Sequence, residues 1–449
     1  MFKYNYHINK VVARLIPCLL ILFFNDIIYL LIPNRNNLYI TPDVTILAII
    51  CNLICFDVKN LYNKIIVIGW LLFFFLGILN VNSVNNETNY YNLQLHDASL
   101  FYLICLIVFI FSLAFFEKST LIRDSISEID TNGKTSYTFL LIIFVYPVAL
   151  FISVFRSVGF LPILSGSSFV DSMYEYNYGP LYGFKFICVY GFLLAVVYFS
   201  KGKNKLLLAV YILFLIFAIS IDGKRLVLLL CLLSFIPIYN WILKQNNKTV
   251  SKKTWIIPFI LVFIIYILIN GIRTGSNVSQ LASNLLIKFP FGVEYKDYVH
   301  SFNSYKNGSI PGYNFELSAI GSFFNSSLLN MAGENKEALT KMGSAYTWMD
   351  LYDTKFGIRT GIISELYFAY GYFTVILMIF LAFVTNKISQ RLSNPSSIFN
   401  LIQYSILFAL IFLLINGQAT VFFGCLSMMI YTFIFHKLLH LRASKKLIV

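Results

Sequence analysis

The sequence predicts an all-α polytopic integral membrane protein of about twelve transmembrane helices with one large, mainly helical extracytoplasmic loop. Three observations predict it. Charged residues make up 12% of the 449, against about 25% in a soluble protein, while hydrophobic residues reach 58%. Aromatics account for 18%, with 45 Phe and 30 Tyr, which suits a lipid-facing surface with rings at its interfaces. Apolar runs also recur at close to the roughly 20 residues that a helix needs to cross hydrocarbon.

The runs fall near residues 14–32, 41–56, 65–80, 98–116, 137–155, 184–200, 206–221, 226–243, 254–272, 362–385, 398–416 and 420–436. The first is followed by Asn and Arg rather than by a small-residue cleavage site, so it reads as an uncleaved span. The second is short, and only a turn around Gly417-Gln418 separates the last two. All seven cysteines fall within apolar runs, as small packing residues do, and neither a disulfide framework nor a zinc site is expected.

The net charge of +14 would suggest nucleic acid in a soluble protein. Here it sorts by side instead. With the N-terminus inside and the spans alternating, inside segments hold 21 Lys and Arg and short outside segments hold 5. The other 8 lie in one long outside loop, which crosses largely regardless of charge. Both termini are therefore expected in the cytoplasm. The chain divides into residues 1–272 with nine spans, a cap loop at 273–361, and residues 362–449 with three spans and a basic tail. No nucleic-acid partner is expected; the surroundings are membrane lipid.

The cap loop carries 8 basic and 7 acidic residues, amphipathic stretches at Leu281–Phe291 and Ser318–Met331, and many aromatics. Tyr313 and Trp348, with Tyr367 just beyond it, are candidates to stack on sugar faces, although such rings also serve as cap core or interfacial anchors.

Charges at the outer ends of spans mark the candidate chemistry. Asp222-Gly223-Lys224-Arg225 is a tight turn between the seventh and eighth spans, with two cations and a carboxylate at the membrane surface. The pentapeptide Gly-Ile-Arg-Thr-Gly occurs twice, around Arg273 at one foot of the cap loop and around Arg359 at the other. An Arg between glycines lets backbone approach a ligand while the guanidinium forks onto phosphate oxygens; the competing reading is snorkelling to lipid headgroups. Glu365 lies six residues after Arg359 in an apolar helix, where an ionisable group is costly and is a functional hypothesis by default. His300 in the loop is a further candidate base. There is no metal-ligand constellation and no Gly-rich nucleotide loop, so no metal and no cofactor are expected.

The span number, the late extracytoplasmic loop, the Asp-Gly-Lys-Arg turn and the segment Arg359-Thr-Gly-Ile-Ile-Ser-Glu-Leu-Tyr-Phe-Ala-Tyr-Gly-Tyr-Phe373 together resemble one family, the O-antigen and capsule repeat-unit polymerases of the Wzy type. The resemblance implies a bacterial inner-membrane glycosyltransferase, similar to membrane-embedded lipid-phosphosugar transferases. It would join oligosaccharide repeat units carried on undecaprenyl pyrophosphate at the outer face, alongside a chain-length regulator and a flippase of the same pathway. Such a donor is already activated and needs no nucleotide. It needs cations for the pyrophosphate, a role that fits Arg225, Arg273 and Arg359 with Lys224 in support. It also needs a base for the acceptor hydroxyl, with Glu365 ahead of Asp222 and His300. The alternatives are an O-antigen ligase, which shares topology and donor, and a lipid-linked oligosaccharide flippase or transporter. The last two are disfavoured because the charges sit at span ends and not along a central cavity.

Overall fold

A computed structural model describes residues 42–84, 95–118, 137–159, 181, 185–200, 205–219, 225–245, 295–306, 313–324, 326–335, 338–339, 360–415, 422–427 and 429–434. Among them the regular structure is helical, with no strand. Every predicted apolar run except the first and the ninth falls wholly or partly on described residues, and each of these holds a helix there. Among the described residues, four stretches are long and apolar enough to cross a membrane: Leu61–Ile78, His96–Glu117, Val227–Gln245 and Gly361–Ser393. Shorter apolar helices include Val44–Cys55, Ile143–Val158, Ile187–Tyr198 and Ile398–Leu413.

The chain forms two compact units. The first contains α1 (Pro42–Cys55), α2 (Leu61–Val84), α3 (Leu95–Lys118), α8 (Tyr295–Lys306), α9 (Phe315–Phe323), α10 (Ser326–Met331), α11 (Gly361–Tyr370) and most of α12 (Thr374–Ser393), together with the end of α13 (Ile398–Leu413). The second contains α4 (Tyr137–Val158), α5 (Ile187–Ser200), α6 (Lys205–Ile219), α7 (Arg225–Gln245) and most of α13.

In the second unit α5 is the central helix, packed against α4, α6 and α7. Its residues Val189, Leu193 and Val197 are fully buried. The Tyr211 hydroxyl donates to the Ile143 carbonyl at 2.9 Å and ties α6 to α4. The opposite face of α6 leaves Leu206, Leu207, Val210 and Leu213 more than half exposed. Four large aliphatic side chains on one open helix face would be a liability in water and are ordinary against lipid tails.

The first unit is held at two ends and in the middle. In the middle, the Tyr102 hydroxyl donates to the Trp70 carbonyl at 2.9 Å, while the Trp70 indole donates to the Phe412 carbonyl at 3.3 Å. At one end Glu117 closes α3 onto the start of α2. Its carboxylate accepts from the backbone N–H of Lys59 at 2.6 Å and of Asn60 at 3.2 Å, and from the Asn63 amide at 2.7 Å. A carboxylate at a helix N-terminus satisfies donors that the helix leaves orphaned and complements its dipole. The Asn63 amide also reaches Asn386 of α12 at 3.2 Å.

One feature differs from the sequence reading. The tenth predicted span, 362–385, is two helices. α11 ends at Gly371, whose φ of 58° and ψ of −137° suit glycine alone, and a 3-10 turn at Gly371–Phe373 leads into α12. At 1.5 Å per residue, the ten residues of α11 reach about 15 Å, whereas the twenty of α12 reach about 30 Å and match a bilayer. α8, which lies in the predicted cap loop, packs against α2, α3 and α11. Tyr295 and Tyr298 are almost completely buried, among Phe73, Phe74 and Tyr102. A Cβ on Gly77 would come within 2.3 Å of the Tyr295 Cβ, so only glycine lets the two backbones meet there.

Candidate active site

The end of the first unit opposite Glu117 gathers the described polar side chains of α3, α8, α9 and α11. Sequence spacing explains the seam between α8 and the bundle. Tyr295, Tyr298 and Phe302 recur at helical intervals and form its apolar face. The Tyr298 hydroxyl donates to the Ala98 carbonyl at 2.8 Å, and Tyr295 shares a 3.0 Å hydrogen bond with Ser99. α8 is thus tied to the first turn of α3 by hydroxyls as well as by rings.

One turn further along α8, the Ser301 and Ser364 hydroxyls meet at 2.6 Å and join α8 to α11. His300 and Glu365 are each one residue from that bond. Glu365 is 2% exposed, and residues 361–368 of α11 are all buried. A carboxylate held this deep in an apolar helix is costly and is kept only where the surroundings compensate it. The Tyr313 hydroxyl donates to the Glu365 carbonyl oxygen at 3.2 Å and packs edge-on against Phe368. Burial pushes the Tyr313 phenol far above its ordinary range, and the Glu365 and Glu316 carboxylates add to it, so the hydroxyl stays protonated and serves as a donor. Burial pushes His300 below its ordinary value, so at neutral pH the imidazole is uncharged and able to accept a proton.

Around this core the charges open towards solvent. Lys306 of α8 pairs with Asp97 at the start of α3, and His96 lies 2.9 Å from the same carboxylate. The Tyr370 hydroxyl donates to Glu316 at 2.9 Å, tying the end of α11 to α9. Tyr367 is only 4% exposed: Phe302 stacks on it at 4.6 Å, with Phe101 and Tyr305 closing around it. Little of its ring is left for a sugar. Tyr372, in edge contact with Tyr367 and Phe101, is 71% exposed and is the open ring of the cluster.

The structure therefore brings Glu365, His300, Tyr313 and Tyr367 into one unit. Arg225 opens α7 in the other unit, with its side chain outside the described residues. Asp222, Lys224, Arg273, Arg359 and Trp348 lie outside the described residues. Among the described residues no group of three or more His, Cys, Asp or Glu converges as a metal site. Sequence reasoning missed the Asp97–Lys306 pair, the Ser301–Ser364 bond and Tyr372. Asp97 carried a usable signal, since it is an ionisable residue in the first turn of an apolar helix, as Glu365 is in the second turn of another.

Residues 14–445, nearly the whole chain, match the family model of the O-antigen polysaccharide polymerase Wzy. No curated protein and no solved structure gives a significant match. The family's work is polymerisation of O-antigen repeat units at the membrane, a glycosyltransferase-type activity, which fits the candidate spanning helices of a multi-pass membrane protein. The chain belongs to the Wzy family of O-antigen polysaccharide polymerases.

Proposed function

We propose that the protein extends O-antigen or capsular polysaccharide at the outer face of the inner membrane, using repeat units carried on undecaprenyl pyrophosphate. The observation that carries the reading is Glu365, a carboxylate 2% exposed on a short buried helix in a chain that matches a polymerase family over nearly its whole length. In the proposed reaction an acceptor sugar hydroxyl attacks the anomeric carbon of the donor sugar. The new C–O bond forms as the bond to pyrophosphate breaks, and the electron pair leaves with the pyrophosphate. Glu365 takes the hydroxyl proton, with His300 and Asp222 as the second choices. Arg225, Lys224, Arg273 and Arg359 stabilise charge on the departing pyrophosphate, as preorganised donors do at sites of developing charge. Tyr313 and Trp348 line the glycan path, and Tyr372 replaces Tyr367 as the ring open to a sugar.

In this reading the Asp97 end of the first unit faces outwards and the Glu117 end faces the cytoplasm, with about twelve spans, a late outer loop at 273–361 and both termini inside. A flippase delivers the lipid-linked unit, and a chain-length regulator acts on the growing polymer.

The test replaces Arg225, Arg273 and Arg359 with Lys, one at a time, in cells lacking the native gene. Lys keeps the charge and loses the fork. Surface polysaccharide should collapse to single repeat units at each position while membrane levels of protein stay normal. Wild-type chain lengths from all three stable variants would leave these residues as headgroup anchors.

A further inference from the structure

α11 begins in an unusual way. Thr360 stands at its N-cap, where a Thr hydroxyl normally accepts from the N–H groups of the first turn, yet it makes no capping bond. Thr360 is 1% exposed, and its buried hydroxyl has no hydrogen-bond partner among the described residues. A buried hydroxyl without a partner carries a desolvation cost, and such groups need a physical reason to be kept. The backbone supplies one. Thr360 is right-handed, with φ −97° and ψ −16°, and Gly361 after it is left-handed with φ 76°. A right-handed residue followed by a glycine of positive φ is the succession that backbone anion sites use to turn neighbouring N–H groups to one side, and here it stands at the start of a ten-residue helix. The Ile362 N–H is already committed to the Leu414 carbonyl at 2.9 Å, which anchors the corner against the end of α13. Ser318 of α9, a helix packed on α11, is a second buried hydroxyl without a partner among the described residues.

We propose that the Thr360–Gly361 corner seats a phosphate oxygen of the lipid-linked diphosphate donor, with the Thr360 hydroxyl and the Gly361 N–H as donors. This rests on the lipid-diphosphate reading above and assigns that ligand a specific contact. Arg359, the preceding residue in sequence, is already proposed for the same group. A threonine that ignored its own helix in order to serve a ligand would look like this. In the ligand-free protein the hydroxyl is a cost, and with the diphosphate in place it is a contact.

That double role gives the test. Thr360→Val keeps the shape and removes the hydroxyl; Thr360→Ser keeps the hydroxyl. Purified wild-type protein and both variants are melted in nanodiscs with and without farnesyl pyrophosphate, farnesyl monophosphate or inorganic pyrophosphate. Without ligand, Thr360→Val should melt above wild type, because an unsatisfied polar group has gone. With farnesyl pyrophosphate it should bind at least about tenfold more weakly than wild type, the loss expected for one hydrogen bond to a charged group. Thr360→Ser should restore binding. Stabilisation of wild type by inorganic pyrophosphate alone would assign the seat to phosphate chemistry, and stabilisation by the farnesyl compound only would show that the lipid is also needed. Equal farnesyl pyrophosphate binding by wild type and Thr360→Val overturns the seat but leaves the donor reading intact. No stabilisation of wild type by any of the three ligands overturns the donor reading and the seat with it.

Discussion

The two ends of the first unit handle buried carboxylates differently. At one end, Glu117 is committed to structure: two backbone N–H groups and an asparagine amide converge on it, and the amide links on to α12. At the other end, Glu365 sits on a helix joined to its neighbours by hydroxyls, through Ser301–Ser364 and through Tyr313 to its backbone carbonyl. Its flanking charges, Asp97 with Lys306 and Glu316 with Tyr370, stand partly open. An acid that caps a helix cannot easily change its bonds. An acid beneath a half-open rim of charge and tyrosine can meet a substrate.

The sharpest break in the comparison is Glu117→Ala. It removes one acceptor from three donors in a buried setting, and the loss should reach roughly 3 kcal/mol or more. Immunoblots of membranes should show little protein. Normal levels with altered chain length would mean that the Glu117 end is functional and not scaffold.

Next in size is Gly77→Ala. The added methyl would strike the Tyr295 Cβ, and forcing α8 away should cost about 1–3 kcal/mol. A lower melting temperature is expected, together with faster hydrogen exchange in residues 295–306. An unchanged exchange pattern there would show that α8 is not seated against α2.

A smaller effect concerns pH. Burial lowers the folded-state value of His300 below its unfolded value, so the unfolded chain binds the proton more readily. The associated stability is present above the unfolded value of about 6.5 and is lost as pH falls towards the lowered one. Melting temperature should drop between about pH 7 and 5 in wild type, and His300→Gln should flatten the drop. Identical slopes would contradict the placement of His300.

The smallest effect belongs to Lys306. Asp97 holds its ammonium above the usual lysine range, so the pair contributes at neutral pH and fades only as pH rises through that raised value. Lys306 is exposed and its ion pair lies at the surface, so Lys306→Met should leave the melting temperature at pH 7 almost unchanged. A marked fall would mean that the pair is a true latch between α8 and α3.

The helical character of the apolar runs was legible because their signal is compositional, and among the described residues helices stand where those runs lie. The break at Gly371 was not. Apolar residues run through it unbroken, and only the backbone dihedral reveals that α11 and α12 are separate. α8 was half legible. Its polar composition suggests a surface cap, although Tyr295, Tyr298 and Phe302 at helical spacing already mark one buried face. Glu365 could be read as an ionisable residue in an apolar run. Its partners could not, since Ser301 lies 63 residues from Ser364 and Asp97 lies 209 from Lys306. In Gly-Ile-Arg-Thr-Gly the arginine drew the eye, whereas the described unusual feature belongs to Thr360 and Gly361.

The central claim is that the Glu365 end carries the chemistry. It is tested most directly by surface polysaccharide from cells whose only copy of the polymerase is Glu365→Gln, with protein levels matched to wild type. The account predicts single repeat units on the surface, because the proton acceptor has gone while side-chain shape is kept. A wild-type ladder of long chains from that variant would contradict it.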